Sequence, residues 1–207
     1  MIFINKNIIT IFLLVILFII TISFIVNRKQ IKSLILIPFE KKKSYLALYF
    51  QRNINFSFLR FNFTLITILI STCFIANFLN KIDNITFSLL LLLMICFYFF
   101  RHVFTFLWGF TTNKYLKSKK ISIIIIDSNT FVSIYFLPIL FISHFNNFFD
   151  LNITSTVSII YFISIIISEL IFIIKAMNLI DLKIKDIILY ICLLEIVPII
   201  TFYIALK

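Results

Sequence analysis

The chain has 207 residues, of which 62% are hydrophobic and only 13% are charged, so it is too apolar for a water-soluble domain. We expect lipid to be the solvent, and the length corresponds to one transmembrane domain, residues 1–207. The net charge of +11 would suggest a nucleic-acid partner in a soluble protein. Here the basic residues cluster between apolar segments, as the cytoplasmic flanks of membrane helices do, so no nucleic-acid partner is expected.

Apolar segments long enough, or nearly long enough, to cross ~30 Å of hydrocarbon recur along the chain. They predict an all-α, polytopic membrane helix bundle with about six transmembrane helices, or five if the fourth segment does not cross fully. The fourth is the weakest, because Pro138 interrupts its apolar core. The preceding run, ISIIIID at 121–127, forms an interfacial turn or extends this helix through DSNT. The predicted spans are 8–26, 56–78, 86–110, 129–147, 155–175 and 187–205.

The charges of the connecting loops predict the orientation of the bundle. The first, third and fifth loops are rich in Lys and Arg, whereas the second and fourth are nearly neutral. By the positive-inside rule, the basic loops face the cytoplasm and both termini lie outside it, in the inner membrane of a bacterium. The first loop, 27–55, contains Lys41, Lys42 and Lys43. It is either an amphipathic helix that contacts anionic lipid head groups or a plain basic loop.

Charged residues inside four predicted helices fall at a similar depth in the cytoplasmic half. Arg60 lies in the second helix, Arg101 with its neighbour His102 in the third, Glu169 in the fifth and Glu195 in the sixth. A charge at the centre of a membrane helix costs ~2.5–3.5 kcal/mol on insertion scales, so these side chains should face the protein interior and find partners. We expect Arg101 to pair with Glu195 or Glu169.

Polar residues spaced three or four apart predict an inward-facing stripe on the second, third and fifth helices. Their side chains either hydrogen-bond across helices or bond the backbone of their own helix. The stripes are Arg60, Thr64, Thr67 and Ser71; Tyr98, Arg101, Thr105 and Trp108; and Thr154, Ser158, Tyr161, Ser164 or Ile165, and Ser168.

Two prolines interrupt predicted helices. Pro198 follows Glu195 by three residues and leaves the carbonyl of Leu194 without its helical donor, and Pro138 does the same for Ile134. Each proline marks either a hinge or ion site or a kink fixed by packing, and we favour the kink.

Recognisable catalytic motifs are missing from the sequence. The one glycine, Gly109, excludes the P-loop and the dinucleotide-binding fingerprint, and HExxH is absent. The three cysteines lie in apolar runs without a CxxC pair. We therefore expect no catalytic residues, no cofactor and no metal.

The C-terminal stretch DIILYICLLEIVPIITFYIALK resembles the end of a family of multi-pass membrane proteins from Bacteroidota, catalogued as domain of unknown function 4271. The matching positions are Tyr190, Cys192, Leu194, Glu195 and Pro198. The stretches YFFRHVFTFLWGF and YFLPILF resemble other segments of that family less specifically. The resemblance implies an inner-membrane protein without an assigned activity, and it implies that the Glu-Pro pair is a feature of the family.

Two functional hypotheses remain in view, together with a less supported third. The first is a non-enzymatic structural or assembly subunit of an envelope complex, with the bilayer, anionic lipids and other membrane proteins as partners. The alternative is a small solute or ion/proton transporter that uses the intramembrane Glu/Arg layer. A lipid-modifying enzyme would need an acid–base pair at the inner interface, and no motif organises one.

Overall fold

The computed structural model describes residues 6–36, 58–79, 84–145 and 151–180, and apart from a turn at 112–114 they are all helical. Each described helix is long and apolar enough to cross a membrane. The prediction of an all-helical, multi-pass membrane protein is thereby confirmed. The sixth predicted span, 187–205, and the lysines at 41–43 lie outside the described residues. The helices are α1 (Lys6–Leu36), α2 (Phe58–Leu79), α3 (Asn84–Thr111), α4 (Tyr115–Phe145) and α5 (Leu151–Ile180).

Two helices exceed their predicted spans by the largest number of residues. α1 continues past Val26 to Leu36, so the first residues of the predicted loop 27–55 are helical. α4 begins at Tyr115, well before the predicted start at 129, and ISIIIID extends it through DSNT instead of forming an interfacial turn. No Gly or Pro stands between Tyr115 and Leu137 to end the helix, and the polar residues of DSNT are buried by neighbouring helices.

A three-residue turn joins α3 to α4 and folds them into an antiparallel hairpin. Asn113 adopts φ 53°, a left-handed conformation that asparagine tolerates. The amide of Lys114 donates to the carbonyl of Gly109 over 2.8 Å, which satisfies a carbonyl at the end of α3. The two helices approach so closely beside the turn that a Cβ on Gly109 would overlap the side chain of Ser118. Glycine is therefore required there by space.

α2 and α4 occupy the centre of the bundle. In each of them 67% of the membrane span is buried, against 22%, 28% and 39% for α1, α3 and α5. α2 and α4 both pack against every other described helix. α1 is held near its start by Thr10 with His144 of α4 (3.0 Å) and near its middle by Ser23 with Asn62 of α2 (3.1 Å). The outer helices present apolar side chains outward, as lipid requires.

Basic side chains gather at one end of the bundle, which we call the basic end. It contains the later part of α1, the start of α2 and the α3–α4 turn. The contact between Ser23 and Asn62 brings the later part of α1 beside the start of α2. The contact between Thr67 and Thr130 brings α2 beside α4, which begins directly after the turn. The described basic residues there that lie outside the buried interior include Arg28, Lys114, Lys117, Lys119, Lys120 and Lys175.

Candidate functional site

An ion pair joins α3 to α5 inside the bundle. Arg101 Nη2 lies 2.5 Å from Glu169 Oε2, and both residues are only 3% exposed. This contact is one of the two alternatives that the sequence offered for Arg101. The other, Glu195, lies outside the described residues. α3 and α5 pack against α2 and α4 more extensively than against each other, so the pair bridges two helices with little other direct packing.

The other described residues of the predicted polar cluster are Arg60 and His102. Arg60 is buried near the start of α2, as expected for an intramembrane cation. His102 does not join the ion pair, because its Nδ1 lies 2.9 Å from the hydroxyl of Ser122 on α4. Adjacent helical residues point about 100° apart, so Arg101 faces α5 while His102 faces the hairpin partner.

Three helices meet at the hydroxyl of Tyr161. This oxygen lies 2.9 Å from Ser71 Oγ on α2 and 2.9 Å from Ser133 Oγ on α4. The ring of Tyr161 stacks on that of Phe74, with centroids 4.2 Å apart, and meets Phe136 edge-on. The residue is fully buried. A single phenol therefore supplies both apolar packing and a polar link among α2, α4 and α5.

The hydroxyls of the predicted stripes use both of the expected bonding modes. Thr67 donates to its own backbone at Phe63 (2.9 Å) and also lies 3.4 Å from the hydroxyl of Thr130 on α4. Ser168 donates to the carbonyl of Ser128 across the α4–α5 interface over 3.4 Å. Thr64, Thr105 and Ser158 donate to carbonyls of their own helices.

The most informative residues that sequence reasoning missed are Asp127 and Asn129. Both are at most 2% exposed, although the sequence placed them at the edge of the fourth span. Neither amide atom of Asn129 has a hydrogen bond among the described residues, and the same holds for Glu169 Oε1 and His102 Nε2. Buried polar atoms of this kind are usually satisfied by ordered water. The available signal was the run of four polar residues, DSNT, between two long apolar runs.

We call the buried polar residues of α3, α4 and α5 around the Arg101–Glu169 pair the polar layer: Arg101, Asp127, Ser128, Asn129, Ser168 and Glu169. In the part of the chain that the structure describes, no three His, Cys, Asp or Glu side chains are grouped so that they could hold a metal ion.

The model of one protein family, a domain of unknown function (DUF4271), matches residues 9–206. The chain belongs to the DUF4271 family. The resemblance read from the C-terminal motif is thus confirmed for the family, and the matched region includes the whole polar layer. No curated protein and no solved structure significantly matches the chain.

The two prolines of this DUF4271 protein can be placed only in part. Pro138 lies within α4, and it is exposed on the surface of the helix. It therefore faces outward, away from the polar layer. Pro198 and Glu195 lie outside the described residues.

Proposed function

We propose that the protein is a non-enzymatic structural or assembly subunit of an envelope complex in the bacterial inner membrane. The observation that carries the proposal is the use of the interior polar groups. Arg101 is bound to Glu169, and the Tyr161 hydroxyl is shared by Ser71 and Ser133. These contacts join helices to one another, so polar groups whose burial in lipid would cost energy stabilise the packing of the bundle.

The energetics of the buried ion pair favour a structural role over a chemical one. A buried charge without its partner is destabilising by ~3–5 kcal/mol, whereas a paired set is close to neutral overall. The Arg101–Glu169 pair, with its two side chains buried, therefore holds α3 and α5 in one arrangement. A bundle fixed in this way offers a rigid surface to other membrane proteins, as a scaffold requires.

The basic end supports contact with the membrane surface and with partners. Arg28 on α1 and Lys117, Lys119 and Lys120 on α4 lie there, and Lys41–Lys43 follow α1 in the sequence. Each Lys or Arg near an anionic surface contributes ~1 kcal/mol to attraction. We infer that this end faces the cytoplasm and that anionic lipid head groups bind there, and both inferences rest on the positive-inside rule.

The proposal is tested by co-purification from native membranes followed by mass spectrometry. Tagged wild-type protein is compared with Glu195→Gln, and Glu40→Gln in the first loop makes the same chemical change outside the predicted helices. We expect a stoichiometric protein partner with the wild type and with Glu40→Gln, and its loss from Glu195→Gln although that variant still inserts. A chain that purifies alone in all three forms would contradict the proposal.

A transporter of a small solute, ion or proton is the second candidate, and one specific observation favours it. The amide of Asn129 and the Oε1 atom of Glu169 are buried without hydrogen bonds from described residues, so this part of the layer is suited to water or a permeating ion. In proteoliposomes, this candidate predicts a flux that Glu169→Gln abolishes while Glu40→Gln preserves it. The absence of flux in the wild type would exclude it for the substrates tested.

A further inference from the structure

The second half of α4 has one side that the described helices leave exposed. It consists of Tyr135, Pro138, Ile139 and Ile142, which recur at steps of three and four residues and are all exposed. We call these four residues the α4 outer face. It includes two polar groups for which a lipid chain provides no partner.

The first polar group is the hydroxyl of Tyr135, whose side chain is 46% exposed. Among the described residues, none forms a hydrogen bond with this hydroxyl. The ring packs on that of Phe131, one turn closer to the basic end, with centroids 4.6 Å apart. Phe131 lies ~16 Å along the helix from Lys120 and ~20 Å from His144, at 1.5 Å per residue. The Tyr135 hydroxyl is therefore held near the middle of the ~30 Å hydrocarbon layer, away from water.

Tyrosine cannot satisfy its hydroxyl on its own helix as shorter side chains do. Thr21, an exposed residue of α1, donates to the carbonyl of Leu17 over 2.8 Å. Serine and threonine reach a carbonyl of the preceding turn in this way because their hydroxyl is one bond from Cβ. The oxygen of Tyr135 stands at the far end of a rigid ring, so its partner must come from outside α4.

The second polar group is the backbone carbonyl of Ile134. A helical carbonyl points at the N–H of the residue four positions on, and here that residue is Pro138, which has no N–H. Because Pro138 is exposed, this carbonyl opens onto the α4 outer face. In membrane proteins, neighbouring helices commonly satisfy a carbonyl that a proline has left without its donor.

The two groups favour a helix over lipid, and a different polypeptide over a second copy of this chain. Acyl chains have no hydrogen-bonding atoms, so lipid would leave both the hydroxyl and the carbonyl unsatisfied. Two copies in one membrane share an orientation, so two-fold symmetry brings residues of equal depth together. At the depth of the Ile134 carbonyl, a second copy would present Pro138 and Ile139, and neither side chain is a donor.

We propose that the α4 outer face binds a transmembrane helix of a different polypeptide. One side chain of that helix accepts a hydrogen bond from the Tyr135 hydroxyl, and another donates to the Ile134 carbonyl. Asn, Gln, Ser and Thr side chains can do both. Ile139 and Ile142 supply the apolar packing around these bonds. The inference rests on the assembly role proposed above, and it identifies the surface that the partner contacts.

The first test measures how much partner each variant retains on co-purification from native membranes, by quantitative mass spectrometry. Tyr135→Phe removes the donor. Tyr115→Phe is the matched control, because Tyr115 lies on the same helix and is 47% exposed. Pro138→Ala returns an N–H to the Ile134 carbonyl, so the donor of the partner becomes redundant. We expect Tyr135→Phe and Pro138→Ala each to lower retention about five-fold without destabilising the isolated chain, and Tyr115→Phe to retain the partner fully.

The second test identifies the occupant in intact membranes with benzoylphenylalanine, a photo-crosslinking amino acid. It replaces Ile142 on the α4 outer face and, as the control, Leu92, an exposed residue of α3. We expect position 142 to capture an apolar segment of the same polypeptide that co-purifies with the wild type. Position 92 should not capture that segment.

A crosslink from position 142 to lipid alone, to a second copy, or to residues 181–207 of the same chain would overturn the proposal. Full retention of the partner by Tyr135→Phe and Pro138→Ala would also overturn it, while the assembly role would stand with a different contact surface. A wild-type chain that has no partner would overturn both. If Pro138→Ala fails to fold, Tyr135→Phe and the crosslinks still decide between these outcomes.

Discussion

Removal of one partner of the Arg101–Glu169 pair should destabilise the bundle far more than removal of both. Glu169→Leu leaves a guanidinium among buried groups of α3 and α5, and Arg101→Met leaves a carboxylate there. Replacing both residues leaves no charge at either position. The pair is therefore expected to behave as a coupled unit in a double-mutant cycle.

The size of each effect follows from the burial of the two side chains. Loss of one member of a buried pair costs ~3–5 kcal/mol, and replacement of the whole pair by apolar residues of similar volume is often neutral or stabilising. The single variants should each lose ~3 kcal/mol or more of unfolding free energy, and the double variant should fall within about 1 kcal/mol of the wild type. The coupling energy is then ~5 kcal/mol, well above the ~0.6 kcal/mol average of hydrogen bonds between membrane helices.

The assay is reversible unfolding in mixed detergent, followed by the fluorescence of Trp108, the chain's one tryptophan, which lies on α3 with Arg101. Arg28→Met serves as the control, because it removes an exposed cation from α1. Two results would contradict this prediction. In one, the unfolding free energies of the single variants stay within ~0.5 kcal/mol of the wild type; in the other, the double variant loses the sum of the two single losses.

Further predictions concern a phenol, a glycine and the lysines of the first loop. Tyr161→Phe removes the hydroxyl shared by α2, α4 and α5 and should cost about 1 kcal/mol in the same unfolding assay, while Tyr135→Phe at an exposed position of α4 should cost nothing measurable. Equal effects of the two would contradict the role given to Tyr161. Gly109→Ala should cost ~1–3 kcal/mol because its Cβ overlaps Ser118, and Ser118→Gly should restore part of that loss; if the alanine variant is as stable as the wild type, the close approach is wrong. Replacing Lys41, Lys42 and Lys43 by glutamine should reduce the enrichment of anionic over zwitterionic lipid around the protein. Fluorescence energy transfer from Trp108 to labelled lipids measures this enrichment, and an unchanged value would count against a contact between these lysines and anionic lipid.

The sequence predicted membrane-crossing helices because lipid imposes a simple requirement on such segments. Each crossing helix needs about 20 apolar residues, and this length is visible in the hydropathy of the chain. The inward faces were also predictable, since residues such as Thr67, Ser71 and Tyr161 recur at helical spacing, and all three are buried.

The missed features depend on which helices become neighbours. Asp127 and Asn129 lower the local hydropathy, so the sequence places them at the edge of a span, but α4 is central and other helices cover them. The partner of His102 is Ser122, and that contact exists because the turn after Thr111 folds α4 back along α3. In the sequence alone, Gly109 is only a residue of low helix propensity, and its close approach to Ser118 is visible only in the structure. Spacing along one helix carries none of this information.

The most direct test of the assembly role is mass spectrometry of complexes ejected from native membrane vesicles without detergent. The account predicts the 24.5-kDa chain bound in fixed ratio to at least one different polypeptide. A chain that appears alone, or only with copies of itself, would contradict it.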